Sequence, residues 1–243
     1  MAVNRTRLSL GCALLTLCVA LGSRAQTSSQ TAIPNPESSS SSEQQRQNGS
    51  DAPRILGVVP QFSVTNEWNA RPLTAGEKFK LFERSSFDPF NFAAAGLQAG
   101  LSQATNEFPG YGQGAAGYGK RYGASFADQV SSNFFSNFFY PTLLKEDPRY
   151  FRLGRGPIKH RFLYALEQEF VVRRDGGGKG FAFENVLGAF SSGTLSNVYY
   201  PSTDRGVGLT ISRSVISMLY GSAGGLASEF WPDVQRKLHR HKE

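Results

Sequence analysis

Cysteine occurs only at positions 12 and 18 of the 243-residue chain. Any form that loses its amino terminus therefore has no disulfide, no thiolate metal centre and no cysteine nucleophile. Histidine is nearly as scarce: of three, His239 and His241 close the chain and His160 stands alone inside it. That is too few for a His-rich metal site. Long apolar runs are missing too. The charge-free stretches 89–106, 129–144 and 185–203 are each laced with Ser, Asn, Gln or Thr, and none supplies the ~20 predominantly apolar residues of a spanning helix. There is no Gly-x-Ser-x-Gly elbow and no His-Glu-x-x-His pair. Residues 176–180, Gly-Gly-Gly-Lys-Gly, lack the hydroxyl that a phosphate loop places after its lysine. No cofactor and no metal are expected.

What is present begins with a export-type amino terminus. Arg5 and Arg7 precede an apolar run over residues 8–21, followed by Ser23-Arg24-Ala25, the three regions of a secretory signal peptide. As a helix the run is about 21 Å long, short of the ~30 Å hydrocarbon core. Cys12 and Cys18 lie inside it, without the setting that lipid attachment needs. Cleavage after Ala25 would leave 218 residues and lower the formal charge from +7 to +4, too mild an excess to imply nucleic acid. Residues 26–53 contain Ala32, Ile33 and Ala52 as their only apolar side chains and an unbroken serine run over 38–42. Such a stretch buries too little to offset its ordering entropy and reads as a disordered linker. Asn48-Gly49-Ser50 within it reads as a chance glycosylation sequon. A single helical domain is expected over residues 54–243.

The fold class is mainly α, a compact bundle of about six to seven helices. Residues 55–64 are broken by Gly57 and Pro60 and read at best as an edge strand. Thr74 and Glu77 have capping-box spacing, and Asp88-Pro89 supplies an N-cap and first-turn proline for a helix reaching residue 106. Further helices are predicted over 115–140, stopped by Pro141, and over 157–172, where Phe162, Leu163, Leu166 and Phe170 make one apolar face. After a charged, glycine-rich turn at 173–180, helices follow over 183–200 and 207–228, with a short last one from Trp231-Pro232.

Residues 131–141 align without a gap to residues 191–201, with six of eleven positions identical. Two readings fit: duplicated helical hairpins with Asn137 and Asn197 in equivalent places, or independent use of Asn-x-aromatic-Tyr-Pro to end a helix. Small residues recur at helical spacing: Gly119, Gly123 and Ala127; Ser132 and Ser136; Ser192 and Ser196; Gly221, Gly224 and Gly225. Glycine within a helix costs about 1 kcal/mol relative to alanine, so its repeated use predicts close backbone approach. Aromatics occupy the other faces, a pattern common in lipid-embedded bundles, although Asp128 and Arg213 interrupt the two best candidate segments. A water-soluble bundle with peripheral membrane contact is the expectation.

Candidate sites are few. Lys145, Arg149 and Arg152 lie in the densest polar patch and are candidate ligand-binding residues. The Lys-x6-Arg spacing of Lys145 and Arg152 resembles the opening of a lipid-phosphatase signature, but Leu153 stands where that family has proline, and no Pro-Ser-Gly-His follows to supply a nucleophile. His160 with Glu167 is the candidate catalytic pair of an alternative reading, a hydrolase acting on lipid or cell-wall material. Glu167 and Glu169 point to different faces and read as exposed partners for Arg173 or Arg174. Asn137 and Asn197 are candidates for lining a small-ligand pocket. Trp231, Arg236, Lys237 and Arg240 form a short basic amphipathic segment suited to an anionic membrane surface.

Residues 140–151, Tyr-Pro-Thr-Leu-Leu-Lys-Glu-Asp-Pro-Arg-Tyr-Phe, together with Glu229-Phe230-Trp231-Pro232-Asp233, resemble a group of secreted bacterial envelope proteins with no assigned activity. The resemblance implies a periplasmic or envelope location and transfers no catalytic residue. The expected function is a non-enzymatic binding or structural module contacting a membrane surface or another envelope component, with no nucleic-acid partner.

Overall fold

Local chemistry starts the first two helices as the sequence predicts. The Thr74 hydroxyl accepts from the Glu77 amide while the Glu77 carboxylate accepts from the Thr74 amide, opening α1 (Ala75–Ser86) with a complete capping box. Asp88 accepts from the Phe90 amide at 2.9 Å and Pro89 takes the first position of α2 (Pro89–Ala104). The computed structural model describes residues 54–55 and 59–240. The signal peptide, the serine-rich linker, the Asn48 sequon and the side chain of Arg240 lie outside the described residues.

Helix α3 (Gly114–Asn133) runs without a break into a π-helical segment (Phe134–Phe139) and then α4 (Tyr140–Leu144). Pro141 does not stop it. In the π segment the Tyr140 amide donates to the Phe135 carbonyl, five residues back, and the widened turn makes room for the proline ring that a regular helix would exclude. The helix ends four residues later, at Lys145, which takes a left-handed φ of 56°. Next come α5 (Ile158–Glu167), α6 (Phe183–Leu195) and α7 (Val207–Arg240). With residues 114–144 taken as one helix, the described residues form a bundle of six.

Several boundaries differ from expectation. The fourth helix, predicted over 157–172, ends at Glu167, and residues 171–172 join 173–174 of the predicted turn in a strand. Strands β4 (Glu146–Asp147), β6 (Val171–Arg174) and β7 (Lys179–Phe181) form an antiparallel sheet in the order β4-β6-β7, so the glycine-rich turn is the tip of a β-hairpin. β1 (Arg54–Ile55) pairs with β2 (Val59–Pro60), and β3 (Val64–Thr65) runs parallel to β5 (Tyr150–Phe151). The sixth and seventh predicted helices are one, with Pro232 inside α7.

Helix α2 packs on α3, α6 packs on α7, and the π segment touches both α1 and α6. Small residues lie at these contacts: Ala95 and Ala99 on α2, Ala124 on α3 and Ala189 on α6 are all buried. Gly193 lies so close to α7 that a Cβ would stand 2.6 Å from the Thr210 carbonyl oxygen. Close approach fails at Gly119 and Gly123, where a Cβ would meet open space.

Candidate functional site: a charged interior beneath an apolar face

The residues at the centre are charged. Lys78, Arg121, Glu184 and Glu229 are each no more than 2 % exposed, and their partners organise the fold.

Pro232 cannot donate to the Ser228 carbonyl, four residues back in α7, so that carbonyl lacks its helical partner. Arg152 Nε fills the gap at 2.7 Å, and Arg161 Nη2 donates to the next carbonyl, that of Glu229, at 2.6 Å. The Glu229 carboxylate accepts from the Tyr150 hydroxyl (2.9 Å), the amides of Leu153 (3.0 Å) and Gly154 (2.8 Å), and Arg161 Nε (2.8 Å). Arg161 also pairs with Asp233 at 2.5 Å. Of the two segments that carry the sequence resemblance, the first reaches the second through Tyr150, and the other donors to Glu229 and Ser228 follow just after it at 152–154 and on α5 at Arg161. Burial and the neighbouring carboxylate push the Tyr150 phenol far above its ordinary value, so it stays a neutral donor.

A second hub is Asp128, which accepts from the hydroxyls of Ser196 (2.7 Å), Tyr199 (2.6 Å) and Tyr200 (2.7 Å). Arg213 lies 3.8 Å from it, and its guanidinium rests against the adjoining, edge-to-face rings of Phe108 and Tyr200, each 5.0 Å away. Arg121 touches no acid. It donates instead to the carbonyls of Glu107, Phe108 and Gly112 and to the Gln103 amide oxygen. A cavity of about 10 Å3 between these arginines, lined also by Ser102, Tyr111 and Ser125, holds one water at most.

The third cluster is acidic. Glu146, Glu169 and Glu184 are all buried. The Glu184 amide donates to Glu146 Oε2 at 3.2 Å, while Glu184 Oε2 has no hydrogen-bond partner among the described residues. Burial, then the hydrogen bond and charge of Glu146, raise the Glu184 carboxyl well above the carboxylate range. Burial alone pushes Glu169 up to about 7. The expectation of an exposed Glu169 paired with arginine is therefore corrected: it packs against Gly221, whose missing side chain leaves room for the carboxylate. Among the described residues no group of three or more His, Cys, Asp or Glu is placed to hold a metal ion.

The sequence-predicted site residues scatter. His160 and Glu167 are both exposed on α5, seven residues and so about 10 Å apart along the helix, with no hydrogen bond joining them. They give no local acid/base pair. Asn137 donates to Asn133 within its own helix at 3.1 Å. Asn197 donates to Gly193, Thr194 and Thr210 and accepts from the Gly206 amide, clamping the α6–α7 connection. The two amides do not converge on a ligand. Their segments also differ, since residues 134–139 open into a π turn while Ser196–Val198 tighten into a 3-10 turn. Arg149 is held by Asp147 and the Arg71 carbonyl, and Arg152 by Ser228, Asn66 and Gln61. Both are structural; Lys145 alone of that trio is exposed with no side-chain partner among the described residues. Trp231 is buried and is no surface anchor, while Arg236 and Lys237 are exposed.

The periodic apolar side chains of α5, α6 and α7 are turned outward, which helical period alone does not reveal. On α7, Val207, Ile211, Val215 and Leu219 recur every fourth residue and are 49 to 75 % exposed. On the adjoining α6, Phe183, Leu187, Phe190 and Leu195 also face outward. On α5 the exposed set is Ile158, Phe162, Leu163, with Phe170 just beyond, whereas Arg161, Tyr164 and Ala165 face in. Large apolar side chains of these helices lie outside, while small and charged residues share the centre with a few buried aromatics such as Tyr111, Phe151 and Tyr200. No described helix is long and apolar enough to cross a membrane. No family model, no curated protein and no solved structure matches the chain.

Proposed function

We propose that this is an exported protein of the bacterial envelope, a non-enzymatic helical module that seats its apolar helix faces on a membrane. The observation that carries the reading is the inversion of the bundle, with Glu184 and Arg213 turned inward while the outer faces of α6 and α7 present Phe, Leu, Ile and Val. Contiguous apolar surface of this kind marks an interaction site. Covering the exposed half of each of the four α7 side chains is worth about 1 kcal/mol apiece, enough together to hold a peripheral protein on a bilayer without a spanning helix. The amino-terminal pattern and the resemblance to secreted envelope proteins support the location.

The test is flotation of the chain beginning at Gln26 with phosphatidylcholine vesicles, beside the Ile211→Ser, Leu219→Ser double variant. The wild type should float and the double variant should stay behind. A wild type that stays behind, and that light scattering shows to be a dimer dissociated by the same two substitutions, would assign this face to a second copy instead.

A further inference from the structure

The end of the β6–β7 hairpin carries cations that form no ion pair among the described residues. Lys145, Arg174 and Lys179 are all exposed, and the pairing Glu146↔Arg174 and Arg173↔Lys179 sets them at one end of the sheet, Arg174 on one face of the hairpin and Lys179, with Phe181, on the other. The Asp175 amide donates to the Lys145 carbonyl at 2.8 Å, fixing the helix end to the hairpin. Arg174 lies across Gly180, where a Cβ would come within 2.6 Å of its Nε. A glycine there lets the guanidinium rest flat on the hairpin.

The acids of this neighbourhood are already engaged. Asp175 pairs with the buried Lys78 at 2.6 Å and Asp147 with Arg149 at 2.6 Å, and Glu146 faces Glu184. Among the described residues none of the three cations forms an ion pair; Lys179 approaches only the Tyr164 ring, at 6.0 Å. Apolar side chains stand beside them. Leu143 is 65 % exposed, and Phe181 and Phe183, edge to face at 5.0 Å, are each 46 % exposed. Cations at the hairpin end with exposed aromatic and aliphatic groups next to them in the chain match a hairpin set edge-on, its two faces meeting an anionic headgroup zone over hydrocarbon.

Resting on the membrane reading above, we propose that the β6–β7 hairpin and the adjoining end of α4 recognise anionic lipid. Lys145, Arg174 and Lys179 engage the headgroups while Leu143, Phe181 and Phe183 enter the layer beneath. This places the charge-reading surface on the hairpin, away from the buried Trp231.

The experiment measures binding of the chain from Gln26 to phosphatidylcholine vesicles and to phosphatidylcholine mixed with phosphatidylglycerol. It compares the wild type, the K145S/R174S/K179S variant and the I211S/L219S variant, each checked by far-UV circular dichroism. Wild type should prefer the anionic vesicles by roughly a hundredfold, from three cations near the surface, and salt should erode that preference. The triple variant should lose the preference and keep its binding to neutral vesicles; I211S/L219S should bind both more weakly and keep the preference. A wild type that binds both vesicles equally, or a triple variant that retains the preference, overturns the hairpin assignment and leaves the membrane reading standing. No binding to either vesicle removes both.

Discussion

Raising the pH from 5 to 8 should destabilise this protein, and Glu169 sets the size of the effect. Its carboxyl is buried at the foot of β6, against Gly221 of α7, and Asn185 of α6 donates to its own backbone carbonyl at 3.0 Å. The charges that face it are those of Glu184 on α6 and, behind that, Glu146 on β4, with no cation in contact. Burial raises the Glu169 carboxyl from 4.5 to about 7. In the unfolded chain it ionises near its ordinary value, so between those two values the native state binds more protons than the unfolded state. Stability is therefore full below about pH 4.5 and falls as the pH rises towards 7. At 1.36 kcal/mol per pH unit the loss is on the order of 3 kcal/mol, a large part of the 5–15 kcal/mol typical of a domain. Glu184, raised in the same direction, adds to it. Urea unfolding followed by far-UV circular dichroism at pH 5 and pH 8 measures the difference, and Glu169→Gln should shrink it by most of the Glu169 share. A wild type equally stable at both pH values, or a Gln variant with an undiminished loss, would refute the reasoning.

Further outcomes follow from the buried clusters. Glu229→Ala strips the acceptor from four donors, Arg161 among them, and should cost about 3–5 kcal/mol in urea unfolding. Asp128→Ala should fall in the same range and weaken the end of α6, where Ser196, Tyr199 and Tyr200 lose their shared acceptor; hydrogen exchange at those amides checks it. Gly193→Ala, with 2.6 Å to the Thr210 carbonyl, should destabilise by about 1–3 kcal/mol. Gly119→Ala, facing open space within α3, should stabilise by up to ~1 kcal/mol.

Helix starts were legible because they are local: Thr74, Glu77, Asp88 and Pro89 act within one turn, and all four do what their spacing implies. Helix ends at proline were not, because they depend on distant groups. Pro232 stays inside α7 because Arg152, 76 residues before Ser228, takes the Ser228 carbonyl that the proline frees. Pro141 stays inside its helix because the turn before it widens. The stripe Phe162, Leu163, Phe170 had a helical period that correctly identified α5 as amphipathic, but periodicity cannot tell which face meets the core. The clue was Arg161 beside Tyr164 and Ala165, whose burial depends on Glu229 and Asp233 from α7. Likewise the cations of the β6–β7 hairpin read as a solvated turn until strand pairing placed Lys145 beside them.

The absence of cysteine after position 18 permits a direct test of whether the apolar face meets lipid. In the chain beginning at Gln26, a single cysteine in place of Val215 carries an environment-sensitive fluorophore, and a second variant carries it in place of Lys80 on the exposed side of α1. With vesicles added, emission from position 215 should shift to the blue and be quenched by lipid-borne quenchers, while position 80 stays unchanged. Unchanged emission at position 215 in the presence of vesicles would contradict the account.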